Sequence, residues 1–190
     1  MNSKNLINFL AEVGQLKRVK RSGWWVAGIK TPESVAEHCF RTTVIGYILA
    51  KMEKVDPYPV LLITLFHDTQ EARLNDLHKV SQRYLNIKDV EEKVLKEQLS
   101  LLPEAIKNEL SSIFKAYVTQ KSKESLIARD ADILECMLQA KEYFDFGFTQ
   151  AKPFIKVEKF LKTKSAKLLA KTIPTWNYRN WWLHLKKFDR

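Results

Sequence analysis

The sequence predicts an all-α protein folded as a single-domain helical bundle. Apolar residues recur at three- and four-residue spacing through most of the 190 positions. The one run that would suit a buried strand, Val60-Leu61-Leu62-Ile63-Thr64-Leu65-Phe66, has no second run of similar strength to pair with. Only 5 Gly and 6 Pro interrupt the pattern, and the prolines fall mostly where helices begin.

Leu6, Leu10 and Val13 share one face of a first helix that starts near Ser3. Residues 18–31 lose this period, and Gly23 and Gly28 bracket Trp24 and Trp25, so an ordered loop is expected there. Thr31-Pro32-Glu33 reads as a helix start, with a capping hydroxyl, a first-turn proline and an acid near the positive dipole end. That helix runs to about Lys54, and Asp56-Pro57 opens the next. Further helices are expected over 87–101, 103–119, 123–144, 152–170 and 174–187. The core is assigned to the helices at 33–54, 57–67 and 123–144.

Apolar residues make up 45% of the chain and charged residues 28%, the mix of a folded globular protein. The net charge of +10 suggests nucleic acid until it is divided. Residues 1–150 hold 21 Lys and Arg against 20 Asp and Glu, whereas residues 151–190 hold 11 against 2. The expected organisation is therefore a nearly neutral body over 1–150 and a basic, aromatic-rich helical extension over 151–190 packed on it. No apolar run is long enough to span a bilayer, and Met1-Asn2-Ser3-Lys4 opens no secretion signal. Cys39 and Cys136 lie in apolar periodic segments and read as buried free thiols, which points to the cytoplasm.

Three places break the apolar pattern. His38 stands in line with Thr42, Ile45 and Leu49. His67 and Asp68 close the run of the next helix. Asp132 lies in a mostly apolar helix, with Glu135 and Gln139 at i+3 and i+7. Taken singly, each has an ordinary explanation as a hydrogen-bonded core residue or a solvated acid. An unpaired buried carboxylate costs several kcal/mol, so such a residue needs a cation, a hydrogen-bond network or solvent. Two His and two Asp at the inner ends of three helices suit one divalent metal of the Mn, Fe, Co, Ni or Zn kind, with Mg a further option.

His38, the pair His67-Asp68, and Asp132 resemble the H…HD…D signature of HD-domain metal-dependent phosphohydrolases, and within them the 5′-deoxynucleotidase branch. The tracts that carry the resemblance are Leu16 to Trp24, Pro32 to His38, His67 to Glu71 with Asp76 following, and Asp132 to Tyr143, spanning roughly residues 5–145. The resemblance implies a bundle of the HD-domain type and hydrolysis of deoxyribonucleoside 5′-monophosphates. It selects Asp132 over Asp130 as the ligand, seven residues before Gln139 of Gln-Ala-Lys-Glu-Tyr. Helical geometry does not make that choice, although the two lie about 200° apart around the axis. It also implies a homodimer.

Glu71 is four residues after His67, on the same face if the helix continues, and is placed to orient or deprotonate a water. Asp76 follows in a turn, where it can protonate a leaving oxygen, hold the sugar or cap a helix. The resemblance implies catalytic roles for both. Arg18, Arg21, Trp24 and Trp25 form a second group. A guanidinium fork suits a phosphate, and an indole face suits a base or a sugar; the indoles equally suit a core plug. Trp24, Arg18 and Arg21 are thus the candidate substrate contacts. His78 reads as a surface residue, and no partner is evident for His184.

In the extension, Lys152, Lys156, Lys159, Lys162, Lys164 and Lys167 crowd one side, with Phe154, Ile155, Val157, Phe160 and Leu161 opposite. This reads as an amphipathic segment docked on the body. Its alternatives are contact with nucleic acid or an anionic surface. A phosphodiesterase or nucleoside triphosphate hydrolase is the other alternative for the body.

Overall fold

The computed structural model describes residues 2–183 and 185, and among them no strand forms. The helices are α1 (Ser3–Val13), α2 (Gly23–Val26), α3 (Val35–Glu53), α4 (Pro57–Phe66), α5 (Glu71–Leu74), α6 (Lys79–Gln82), α7 (Ile87–Leu99), α8 (Glu104–Thr119), α9 (Lys123–Asp145), α10 (Lys164–Thr172) and α11 (Asn180–Leu183). None is long and apolar enough to cross a membrane.

α3, α4 and α9 pack against one another and carry the main core, which includes Ile45, Leu49, Val60, Ile63, Ala131, Leu134 and Met137. α4 packs tightly over Gly46 of α3, where an added Cβ would lie 3.1 Å from both Val60 Cγ1 and Thr64 Cγ2. A second cluster joins Leu99 of α7 to Leu110 and Phe114 of α8. The short α2 turns within the loop expected over 18–31.

The start of α3 differs from the expected cap at Thr31. Ser34 caps it instead: Glu37 N–H donates to Ser34 Oγ at 3.2 Å, and Ser34 N–H donates to the Glu37 carboxylate at 2.6 Å. Residues before the cap are held by the loop. Arg21 N–H donates to Glu33 C=O at 3.0 Å and Val35 N–H to Val19 C=O at 2.9 Å. This short antiparallel pairing leaves Thr31 and Pro32 outside the helix and brings Arg21 to the inner end of α3.

The single helix expected over 152–170 is also corrected. Residues Thr149–Ile155 and Glu158–Phe160 are 3₁₀ turns, and only Lys164–Thr172 is α-helical. Pro153 lacks an N–H for a helix interior. Asp130 of α9 captures the chain further on, accepting the N–H groups of Lys162 and Thr163 and the Thr163 hydroxyl at 2.6–3.0 Å. Thr163 then caps α10 through Ala166 N–H. Ala151, Ile155, Leu161, Ala166, Ala170 and Ile173 enter the same core as α3, α4 and α9, so residues 151–173 share the core of the bundle. Of the helix expected over 174–187, Asn180–Leu183 forms, and the part at His184 and beyond Leu185 lies outside the described residues.

Candidate metal centre

Three helices bring four side chains to one point. His38 projects from the second turn of α3 and is fully buried. His67 is the residue on which α4 ends, with Asp68 next to it. Asp132 comes from the middle of α9. His38 Nε2 is 3.3 Å from Asp132 Oδ1 and 3.8 Å from Asp68 Oδ2, and His67 Nε2 is 3.2 Å from Asp68 Oδ2.

Both imidazoles are oriented from behind. His38 Nδ1–H donates to Glu135 Oε2 at 2.5 Å, and His67 Nδ1–H donates to the Thr64 carbonyl at 3.0 Å. Their Nε2 atoms therefore face the carboxylates, the arrangement that histidine ligands of metals adopt. Among the described residues, the buried His67 Nε2 makes no hydrogen bond, although Asp68 Oδ2 lies 3.2 Å away. A buried nitrogen without a partner needs an explanation. Two imidazole nitrogens and two carboxylates offer the nitrogen and oxygen donors that a divalent cation of the Mn-to-Zn series takes, so the residues fit such an ion.

The electrostatics agree. Burial pushes Asp132 up, but the His38 hydrogen bond and the charges of His38, His67 and Arg129 hold it well below the usual carboxylate range. For His38, burial and Arg21 lower the proton affinity, while Glu135 and Asp132 outweigh them and raise its pKa to about 10.

Glu71 and Asp76 join the same cluster by a different route from that expected. α4 does not continue: Thr69 N–H turns back to Phe66 C=O and Glu71 N–H to Asp68 C=O, each at 3.0 Å, and α5 restarts at Glu71. Glu71 Oε2 is buried without a hydrogen-bond partner among the described residues. Burial and the charges of Asp68 and Asp76 push Glu71 well above the usual carboxylate range. Asp76 caps no helix, that role falling to His78 on α6. It accepts Ser22 N–H at 2.7 Å, and burial raises its pKa, with Arg21 opposing. Asn75 before it holds φ 60° and ψ 163°, a conformation nearly confined to glycine that costs about 1–3 kcal/mol.

The substrate candidates separate. Arg21 is drawn into the cluster, with Nη1 3.5 Å from Asp68 Oδ2 and Nη2 3.4 Å from Cys136 Sγ. Arg18 is exposed, and its side-chain hydrogen bond is a 3.5 Å contact with Gln15. Trp24 corrects the expectation of an open stacking face. It is only 3% exposed, packs at 5.2 Å from both Tyr143 and Phe154, and donates from Nε1 to Glu33 at 3.0 Å. Trp25 is the exposed member of the pair. Cys39 and Cys136 are free thiols.

Several participants had only faint signals in the sequence. Glu135 was visible as a polar break three residues after Asp132. Arg41, three after His38, carries no signal in the sequence, yet it donates to Glu135, Gln139 and Glu142. Tyr117 and Arg129 both donate to Asp132 Oδ2, at 3.3 and 2.6 Å. Asp130, the competing carboxylate, points away to the start of α10.

The HD-domain family model matches residues 13–176. The bovine (Bos taurus) 5′-deoxynucleotidase HDDC2 is 35% identical over 144 residues, covering 75% of this chain and 70% of that protein, and the human protein of the same name is 34% identical with the same coverage. This chain belongs to the HD-domain 5′-deoxynucleotidase family. A conserved protein of Pyrococcus furiosus, 30% identical, has a solved structure that superposes with a TM-score of 0.75 over 89% of this chain and 97% of its own. As an HD phosphohydrolase, the protein is an enzyme of a metal-dependent class. The match also runs past residue 150, in step with the packing of α10 into the core.

Proposed function

We propose that the protein hydrolyses deoxyribonucleoside 5′-monophosphates to deoxyribonucleoside and phosphate at this centre. The observation that carries the reading is the convergence of His38, His67, Asp68 and Asp132, with Arg21 and the unpartnered Glu71 carboxylate beside them. The name borne by the bovine and human relatives supports the substrate class.

His38, His67, Asp68 and Asp132 would hold one divalent cation, Mn, Co, Ni, Fe or Zn, with Mg also compatible. When bound, it acidifies water and offsets phosphoryl charge. Glu71 accepts the proton of the attacking water through Oε2, its raised proton affinity suiting a base. Asp76 delivers a proton to the leaving 5′-oxygen, again with a raised affinity. Arg21 holds phosphoryl oxygens through its planar fork, and Arg18 supplies charge at the rim. Trp24 shapes the site from beneath as a packed wall.

A homodimer fits the outer face of α3, where Phe40, Val44, Tyr47 and Ile48 are exposed at helical spacing. A Val44→Glu variant should sediment as a monomer if that stripe is the contact. A cytoplasmic location goes with the two free cysteines.

The deciding assay measures phosphate release from all ribo- and deoxyribonucleoside 5′-monophosphates with Mn, Co, Ni, Mg and Zn. Metal-dependent release from the deoxy series is expected. Equal turnover of ribonucleotides would remove the deoxy preference, and no release from either series would overturn the reading.

A further inference from the structure

Arg41 lies outside the cluster, yet it connects to it through one residue. Its Nε and Nη2 donate to Glu135 Oε1 at 2.9 and 2.7 Å. Glu135 is fully buried, and its second oxygen, Oε2, takes His38 Nδ1–H. The two oxygens of one carboxylate are thus divided between a guanidinium and an imidazole. On its far side Arg41 is held by Gln139 Oε1 at 2.6 Å and Glu142 Oε1 at 2.7 Å. Asp132, Glu135, Gln139 and Glu142 follow one stripe of α9, at i, i+3, i+7 and i+10.

We propose that Arg41 is a positioning residue, which locks Glu135 so that His38 keeps its proton on Nδ1 and directs the Nε2 lone pair at the metal. Two donors on Oε1 prevent the carboxylate from rotating and stabilise its charge in a buried setting. The ionised carboxylate accepts but cannot donate, so His38 must donate from Nδ1. Gln139 and Glu142 give this clamp its fixed end, which assigns work to the Gln-Ala-Lys-Glu-Tyr stretch beyond marking the position of Asp132. The inference rests on the metal-centre reading of His38.

The test titrates Mn²⁺ into metal-stripped, full-length protein by calorimetry and follows thermal unfolding in parallel. Arg41→Met and Glu135→Ala should weaken Mn²⁺ binding about 10- to 100-fold, the usual cost of removing such a partner. Glu135→Gln should lose less, because its amide oxygen still accepts from Nδ1. With Mn²⁺ in excess, KM for the nucleotide should stay near the parent value while kcat falls. Leu110→Ala, a core truncation between α7 and α8, should lower Tm and leave Mn²⁺ affinity unchanged. Parental affinity in folded Arg41→Met would overturn the proposal, as would equal weakening in Leu110→Ala. Should Arg41→Met fail to fold, Gln139→Ala removes one end of the clamp and must weaken Mn²⁺ binding several-fold. If no variant, nor the parent, releases phosphate, the nucleotidase reading falls while the Mn²⁺ isotherms still decide this one.

Discussion

Asp132 Oδ1 stands 3.3 Å from His38 Nε2, while its Oδ2 takes the Arg129 guanidinium at 2.6 Å. Two residues earlier on α9, Asp130 points to the opposite side and anchors the N-terminus of α10. The carboxylates are chemically alike, and the helix separates their duties. Asp132→Ala should therefore abolish tight metal binding with the fold retained. Asp130→Ala should leave buried N–H groups unpaired and cost about 3 kcal/mol or more of stability. Thermal unfolding and metal titration of the two variants check this, and an exchange of the two phenotypes would contradict it.

Glu71→Gln keeps the size of the side chain and removes the base. Phosphate release should fall about 10²- to 10⁴-fold, with metal affinity nearly unchanged. Full activity in this variant would dismiss Glu71 as the proton acceptor.

Arg21 and Arg18 should differ sharply. Arg21→Lys retains a charge but loses the planar fork, so kcat/KM should drop by about tenfold or more, whereas Arg18→Lys should stay within about twofold. Steady-state kinetics on the preferred nucleotide measure both.

The raised pKa of His38 makes the metal-free protein sensitive to alkali. Between its ordinary value of 6.5 and about 10, folded His38 holds a proton that the unfolded chain has released. That stabilisation is complete below the unfolded value and is lost as pH rises through the folded one. The Tm of metal-free protein should accordingly fall from about pH 7 to pH 10, while metal-loaded protein should lack this component. Metal uptake near neutral pH should expel a proton, visible as a dependence of the apparent binding enthalpy on the buffer. An enthalpy independent of buffer would refute it.

Asn75 holds a conformation that glycine adopts freely. Asn75→Gly should preserve activity and raise or maintain Tm, while Asn75→Val should lower Tm by several degrees through added strain at Asp76.

The all-α class, the long helices and the H…HD…D set were readable in the chain because each rests on local spacing or on a recurrent order of residues. His38, Asp132 and even Glu135 announced themselves as polar breaks in apolar helices. Other features depended on groups far apart in sequence. α3 is capped at Ser34 because residues 19–21 pair with the segment around it, and the helix expected over 152–170 breaks where Pro153 lacks an N–H and Asp130 captures Lys162 and Thr163. Trp24 went to the core and Trp25 to the surface although neighbouring indoles look alike in sequence. Arg41 resembled any surface cation until α3 met α9. The uneven charge, too, acquired a different meaning: the lysines of residues 151–183 are exposed, while Ala151, Ile155, Leu161, Ala166, Ala170 and Ile173 between them enter the core and Phe160, expected on the docked face, stays exposed. Periodicity encodes which side of a helix is apolar. Packing across the bundle determines which distant partner each polar group meets.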